Sequence, residues 1–129
     1  MVVTIKERRY DVDFDDVRVI AAADDGKRAI VEANASLPPV TDASYGKRLI
    51  DFLDVVKAAI DGVVGDGASA ECFGDAYNWR DILTGWVGIV EASTASAVET
   101  GAAAAELVHR ATACVTASKA SGRQPVRLE

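Results

Sequence analysis

A chain of 129 residues has room for one domain and buries roughly two-thirds of its unfolded surface on folding, so a core forms without disulfides or a metal. Half of the residues are apolar but only 6% are aromatic, and much of the apolar count is alanine, which favours packed helices over a sheet sandwich. The net charge of −6 and the lack of a long basic run argue against a phosphate-gripping, nucleic-acid-binding protein.

The chain opens with two runs that alternate apolar and polar residues, Val2–Lys6 and Arg9–Phe14. They predict a β-hairpin whose inward face carries Val3, Ile5, Tyr10, Val12 and Phe14. Glu7-Arg8 between them is a poor turn sequence, so the connection is expected to be irregular. A lone hairpin is marginal in water and must pack on a helix.

Asp15-Asp16 then marks a helix start, with carboxylates near the positive end of the helix dipole. Residues 17–35 are helical in character, with an expected interruption at Asp24-Asp25-Gly26. Leu37-Pro38-Pro39-Val40 ends any helix. Thr41-Asp42 is expected to cap the next one. There Tyr45, Leu49, Phe52, Leu53, Val56, Ile60, Val63 and Val64 recur at three- and four-residue steps, a buried stripe over about five turns.

Gly62, Gly65 and Gly67 end that helix, and a short helical turn, Ala68–Phe73, stops at Gly74. Asn78-Trp79-Arg80-Asp81 reads as a capped start. The helix behind it is expected to bury Trp79, Ile82, Leu83, Trp86, Val87 and Val90. Gly85 and Gly88 mark a kink or a close approach. A last helix, about Ala95 to Lys119, carries Val98, Ala102, Leu107, Val108, Ala111 and Val115. Gly101 leaves open whether it is continuous with the one before. The expectation is a mainly α (α+β) fold, an N-terminal β-hairpin (1–15) packed on a bundle of about four helices. It forms one domain over residues 1–120, followed by a flexible tail at 121–129.

No catalytic constellation emerges. His109 is the lone histidine, and no G-x-S-x-G elbow partners it. Cys72 and Cys114 form no C-x-x-C pair. Asp11, Asp13 and Asp15 have calcium-loop spacing, but Asp16 stands where glycine is needed and Ala22 where glutamate is. The glycine-rich Gly62–Ser69 stretch lacks a P-loop lysine. No enzyme activity, cofactor or metal is therefore expected. Nor do we expect a membrane span, since no run approaches 18 apolar residues. Without a signal-like start, the expected compartment is the cytoplasm, with free thiols.

The outline resembles a known family. Tyr10-Asp11-Val12-Asp13-Phe14 corresponds to a "Y-x-V-D-F" motif. Gly65-Asp66-Gly67-Ala68, Phe73-Gly74 and Asn78 correspond to "F-G-x-G-(T/A)-x-x-x-x-F-G-x-x-x-N", with Val64 in place of the first Phe. Over residues 1–95 this resembles tail assembly chaperones encoded by tailed phages and prophages of Gram-positive bacteria. The resemblance implies no catalytic residues. Its implied role is to coat the helical tape-measure protein in the host cytoplasm during tail assembly, with homo-oligomers a further option. The corresponding binding face would hold Trp79 and Trp86 on one helix, and Leu107, Val108, Ala111 and Val115 on the next. Core packing is the competing reading for all six. Two other functions remain: a self-assembling virion or head–tail connector component, and a small helical regulator.

Overall fold

A computed structural model describes the backbone of residues 1–120 and the side chains of residues 1–113. It contains strands β1 (Val2–Ile5) and β2 (Arg8–Asp11), followed by helices α1 (Val17–Ala35), α2 (Tyr45–Val64), α3 (Ala68–Phe73) and α4 (Trp79–Ala120). The fold is thus mainly α with an N-terminal antiparallel hairpin. The expected tail at 121–129 lies outside the described residues.

The chain divides into a compact unit, Met1–Ala95, and a second unit that begins at Ser96. In the first unit the hairpin pairs Val3 with Tyr10 and Ile5 with Arg8. The turn residues are therefore Lys6 and Glu7, one position earlier than the sequence suggests. Both take positive φ, 46° and 71°, a conformation that costs non-glycine residues about 1–2 kcal/mol each. The two-residue connection keeps the strand twist right-handed. It also keeps Val3 and Ile5 buried together, and burying two such side chains gains roughly 3–6 kcal/mol. Val12 and Phe14 continue the inward alternation past the end of β2.

Asp16 caps α1 by accepting from the Arg18 backbone N–H at 2.9 Å. Arg18 also bonds this carboxylate through its guanidinium, which holds the Asp16 carboxyl below its usual range. Asp24-Asp25-Gly26 does not interrupt the helix; α1 runs unbroken through it. Gly26 is buried because it forms a notch, where a Cβ would lie 2.8 Å from Trp86 Cη2 and 3.0 Å from Ala59 Cβ. The glycine that reads as a breaker is where α1, α2 and α4 meet.

Asp42 does not cap α2 directly. It accepts from the Ser44 N–H and hydroxyl at 2.8 and 2.6 Å, organising the turn before Tyr45. The α2 stripe buries Phe52, Leu53, Val56, Ala59, Ile60 and Val63. Asp61, near its end, reaches over to α3 and accepts from the Ser69 N–H at 2.8 Å and its hydroxyl at 2.9 Å. Gly67 at the α3 N-cap has no side chain to do this.

Within residues 79–95, Ile82, Trp86 and Ile89 are buried. Trp79 and Val87, expected inside, are each 50% exposed. Gly85 seats the hairpin, since a Cβ there would lie 2.9 Å from Ile5 Cγ2 and 3.4 Å from Phe73 Cζ. No kink is needed, and α4 is one continuous helix. In the second unit, every residue from Gly101 to Ala113 is exposed. No helix among the described residues is long and apolar enough to cross a membrane.

Candidate protein-binding site

An apolar concave surface of the first unit lies where α1 ends, α2 begins and α4 starts. Leu37 just past α1, Tyr45, Leu49 and Phe52 of α2, and Trp79 and Leu83 of α4 line a hollow of about 450 Å³, with Asn34 at its edge. That volume lies within the range of small-ligand pockets, roughly 300–1,000 Å³, and the lining is mostly apolar. A smaller hollow of about 130 Å³ shares Leu37 and Phe52 as a wall and is bounded by Arg48 and Asp51. The groove arises because Pro38-Pro39 stops α1 short of the first turn of α2, so the ends of the two helices are bridged by loop.

Trp79 is held by its surroundings at the edge of this hollow. Asn78 caps α4 by accepting from the Arg80 and Asp81 N–H groups at 3.1 and 3.2 Å. The loop before it is latched to α2. Lys57 Nζ donates to the Ala76 carbonyl at 2.9 Å and lies 4.0 Å above the Tyr77 ring. Tyr77 donates its hydroxyl proton to Asp54 Oδ1 at 2.6 Å. That bond, with the nearby carboxylates of Asp54, Asp75 and Asp51, pushes the Tyr77 phenol above its ordinary range and keeps the donor protonated. The Arg80 guanidinium stacks 5.1 Å from the Trp79 ring. An indole half in water but fixed at its backbone loses little ordering entropy when a partner covers it.

Of the six residues expected at a binding face, the two tryptophans differ in exposure. Trp86 belongs to the core, 6% exposed, with its ring in the Gly26 notch. Trp79 opens the groove. Leu107 and Val108 are 62% and 65% exposed, and Ala111 is exposed with them. The Val115 side chain lies outside the described residues. Periodicity assigns Leu49 and Tyr45 to the buried stripe, whereas both are half-buried groove walls. It also places Asp54 and Lys57 off the stripe. Their three-residue spacing sets them on one side of α2, the signal in the sequence that both could grip one loop.

His109 is exposed, and Cys72 is buried against the hairpin. The Cys72 Sγ lies 3.3 Å from the Tyr10 hydroxyl, which donates to Glu71 Oε2 at 3.0 Å. This cluster ties α3 to β2.

The model of a family of unknown function (DUF6673) matches residues 6–122. The chain belongs to that family. No curated protein and no solved structure matches it. The matched range starts at the hairpin turn, after β1, and takes in β2, the groove and the exposed part of α4.

Proposed function

We propose that this protein binds an apolar helix of a longer protein in the groove walled by Leu37, Tyr45, Leu49 and Trp79. In this reading it acts as a tail assembly chaperone for a tape-measure-type chain in the cytoplasm of a bacterial host. The observation that carries the reading is Trp79, 50% exposed at the edge of an apolar hollow, on a helix start fixed by Asn78 and by the Lys57–Tyr77–Asp54 latch. Tryptophan is the residue type most enriched among interface anchors, and amphipathic helices dock by laying i, i+3, i+4, i+7 side chains into such grooves. The acidic balance supports the same role, because net charge keeps a complex dispersed while its partner's apolar face is covered. The phage-tail motifs around Tyr10–Phe14 and Gly65–Asn78 supply the class of partner. The activity is binding, and the reading assigns no catalytic, cofactor or metal residue.

The test is co-expression with a tape-measure-type protein, followed by size-exclusion chromatography with light scattering. The expected result is a soluble complex, a long chain that is insoluble alone, and loss of the complex with Trp79→Asp. A long chain that ignores this protein, or a complex that survives Trp79→Asp undiminished, overturns the proposal.

A further inference from the structure

We infer that two copies of this chain pair through the open edge of β2, antiparallel about Tyr10, so that Arg9 of each copy faces Asp11 of the other and the two hairpins join in one sheet. The contact is separate from the Trp79 groove and does not rest on the function proposed for it.

The hairpin ladder decides which backbone groups are free. Met1 and Val12 exchange both hydrogen bonds, Met1 N donating to the Val12 carbonyl at 3.1 Å and the Val12 N–H to the Met1 carbonyl at 2.8 Å. Bonded and non-bonded pairs alternate along an antiparallel ladder. In the observed register Val3–Tyr10 and Ile5–Arg8 are then the bonded pairs. Val2–Asp11 and Thr4–Arg9 are the non-bonded ones, and their N–H and C=O groups point away from the hairpin. On β1 that outer edge lies against α4, where the Thr4 carbonyl oxygen stands 3.8 Å from the place a Cβ on Gly88 would take. On β2, Arg9 and Asp11 are exposed, and no protein group among the described residues outside the hairpin bonds to their backbone. Such an edge is a template for a further strand.

The two side chains on that edge select a second copy and fix its register. The outward backbone groups of β2 belong to Arg9 and Asp11, so an antiparallel copy of β2 must set one of these two opposite one of its own two. Arg9 against Arg9, or Asp11 against Asp11, places like charges directly opposite, which is destabilising. Arg9 against Asp11 places opposite charges together, and two-fold symmetry makes the pair twice. Charges that repel a misaligned strand thus make this edge its own complement in one register. Both groups are able to engage: Glu71 holds Arg8 rather than Arg9, and Asp11 meets the Met1 ammonium through Oδ1 alone. The strained Lys6-Glu7 turn stops the pairing at one end, and the turn in which the Asp16 N–H donates to the Asp13 carbonyl stops it at the other. The shared strand is short, so the association is weak, and its charge pairs weaken in salt. A two-fold contact of this kind uses up the edge and closes at a dimer.

Sedimentation velocity of the full chain from micromolar to millimolar concentration, with amide hydrogen exchange at both ends of that range, tests the contact. The expected result is a mass that rises toward a dimer and no further, with exchange of the Arg9 and Asp11 N–H groups slowed at high concentration. Arg9→Asp and Asp11→Arg should each weaken association about tenfold or more, because each sets like charges opposite twice. Mixing the two variants, or combining both changes in one chain, puts opposite charges back together and should restore association. Circular dichroism checks that each variant folds. If Asp11→Arg, which loses the bond to Met1, disturbs the hairpin, Arg9→Asp carries the loss and Arg9→Lys the retention. Trp79→Asp should associate as the wild type does. A wild-type chain monomeric throughout, a mass that climbs past a dimer, or edge amides indifferent to concentration overturns the inference. So do single reversals without effect, charge-swapped pairs that stay monomeric, or association lost with Trp79→Asp.

Discussion

Gly26 is the position where the packing of the three long helices is most exposed to refutation. An alanine there gains the helix propensity that glycine lacks, about 1 kcal/mol. Its Cβ, however, would lie 2.8 Å from Trp86 Cη2 and 3.0 Å from Ala59 Cβ, well inside the distance at which carbon atoms attract. Trp86 is 6% exposed and cannot swing away without displacing its neighbours. Overpacking of this kind costs about 1–3 kcal/mol, so Gly26→Ala should lose about 0–2 kcal/mol net. Gly62 is the matched control: it lies in α2, and a methyl added there would meet nothing within 4 Å, so Gly62→Ala should gain about 0.5–1 kcal/mol. Urea and thermal unfolding followed at 222 nm measure both. The difference should appear as a melting-temperature gap of about 2–10 °C in favour of Gly62→Ala. In a Trp86→Phe background, which removes the atom nearest the notch, the Gly26→Ala penalty should shrink. A Gly26→Ala protein as stable as Gly62→Ala, or a penalty that persists without the indole, would refute the three-helix junction.

Other expectations follow from the same contacts. Trp86→Ala should cost about 3–5 kcal/mol, whereas Trp79→Ala, half exposed over an open groove, should cost less than about 1 kcal/mol in the same urea assay. Asp61→Ala removes the two bonds to Ser69 that cap α3 and should cost about 1 kcal/mol, offset by roughly 0.3 kcal/mol because an acid near the C-terminus of α2 opposes that helix's dipole. The Tyr10 phenol is raised above its ordinary 10.0, first by its bond with Cys72, then by partial burial and Glu71. The fold thus favours the protonated form. That contribution is complete below the unfolded value and is lost as pH rises through the folded one, since the unfolded chain ionises first. Stability measured on either side of about pH 10 should fall for the wild type, and fall less for Tyr10→Phe.

The elements whose partner lies within one helix or hairpin are legible from residue order. The Phe52–Val63 part of the α2 stripe, the short α3 between glycines and the Asn78 cap are local patterns, and each stands where residue order puts it. Three features escape such a reading because another element decides them. Gly26 reads as a breaker until Trp86 is placed against it. The turn shifts to Lys6-Glu7 because two buried strand residues outweigh two strained ones. Trp79 and Trp86 stand seven residues apart, nearly in line on α4, yet one is open and one is buried. Helical spacing fixes direction but not what stands opposite: Trp86 meets α1 and α2 side-on, while Trp79 faces the gap where α1 has ended and α2 is only beginning.

The central claim is that the Trp79 groove receives a helix from a protein partner. Fluorine NMR of the chain labelled with fluorotryptophan tests it directly, because the two indoles give separate signals and Trp86 is an internal control. On titration with the tape-measure-type chain, the Trp79 resonance is predicted to shift and broaden with occupancy while that of Trp86 stays near its starting position. A complex that forms with the Trp79 signal unchanged would contradict the claim.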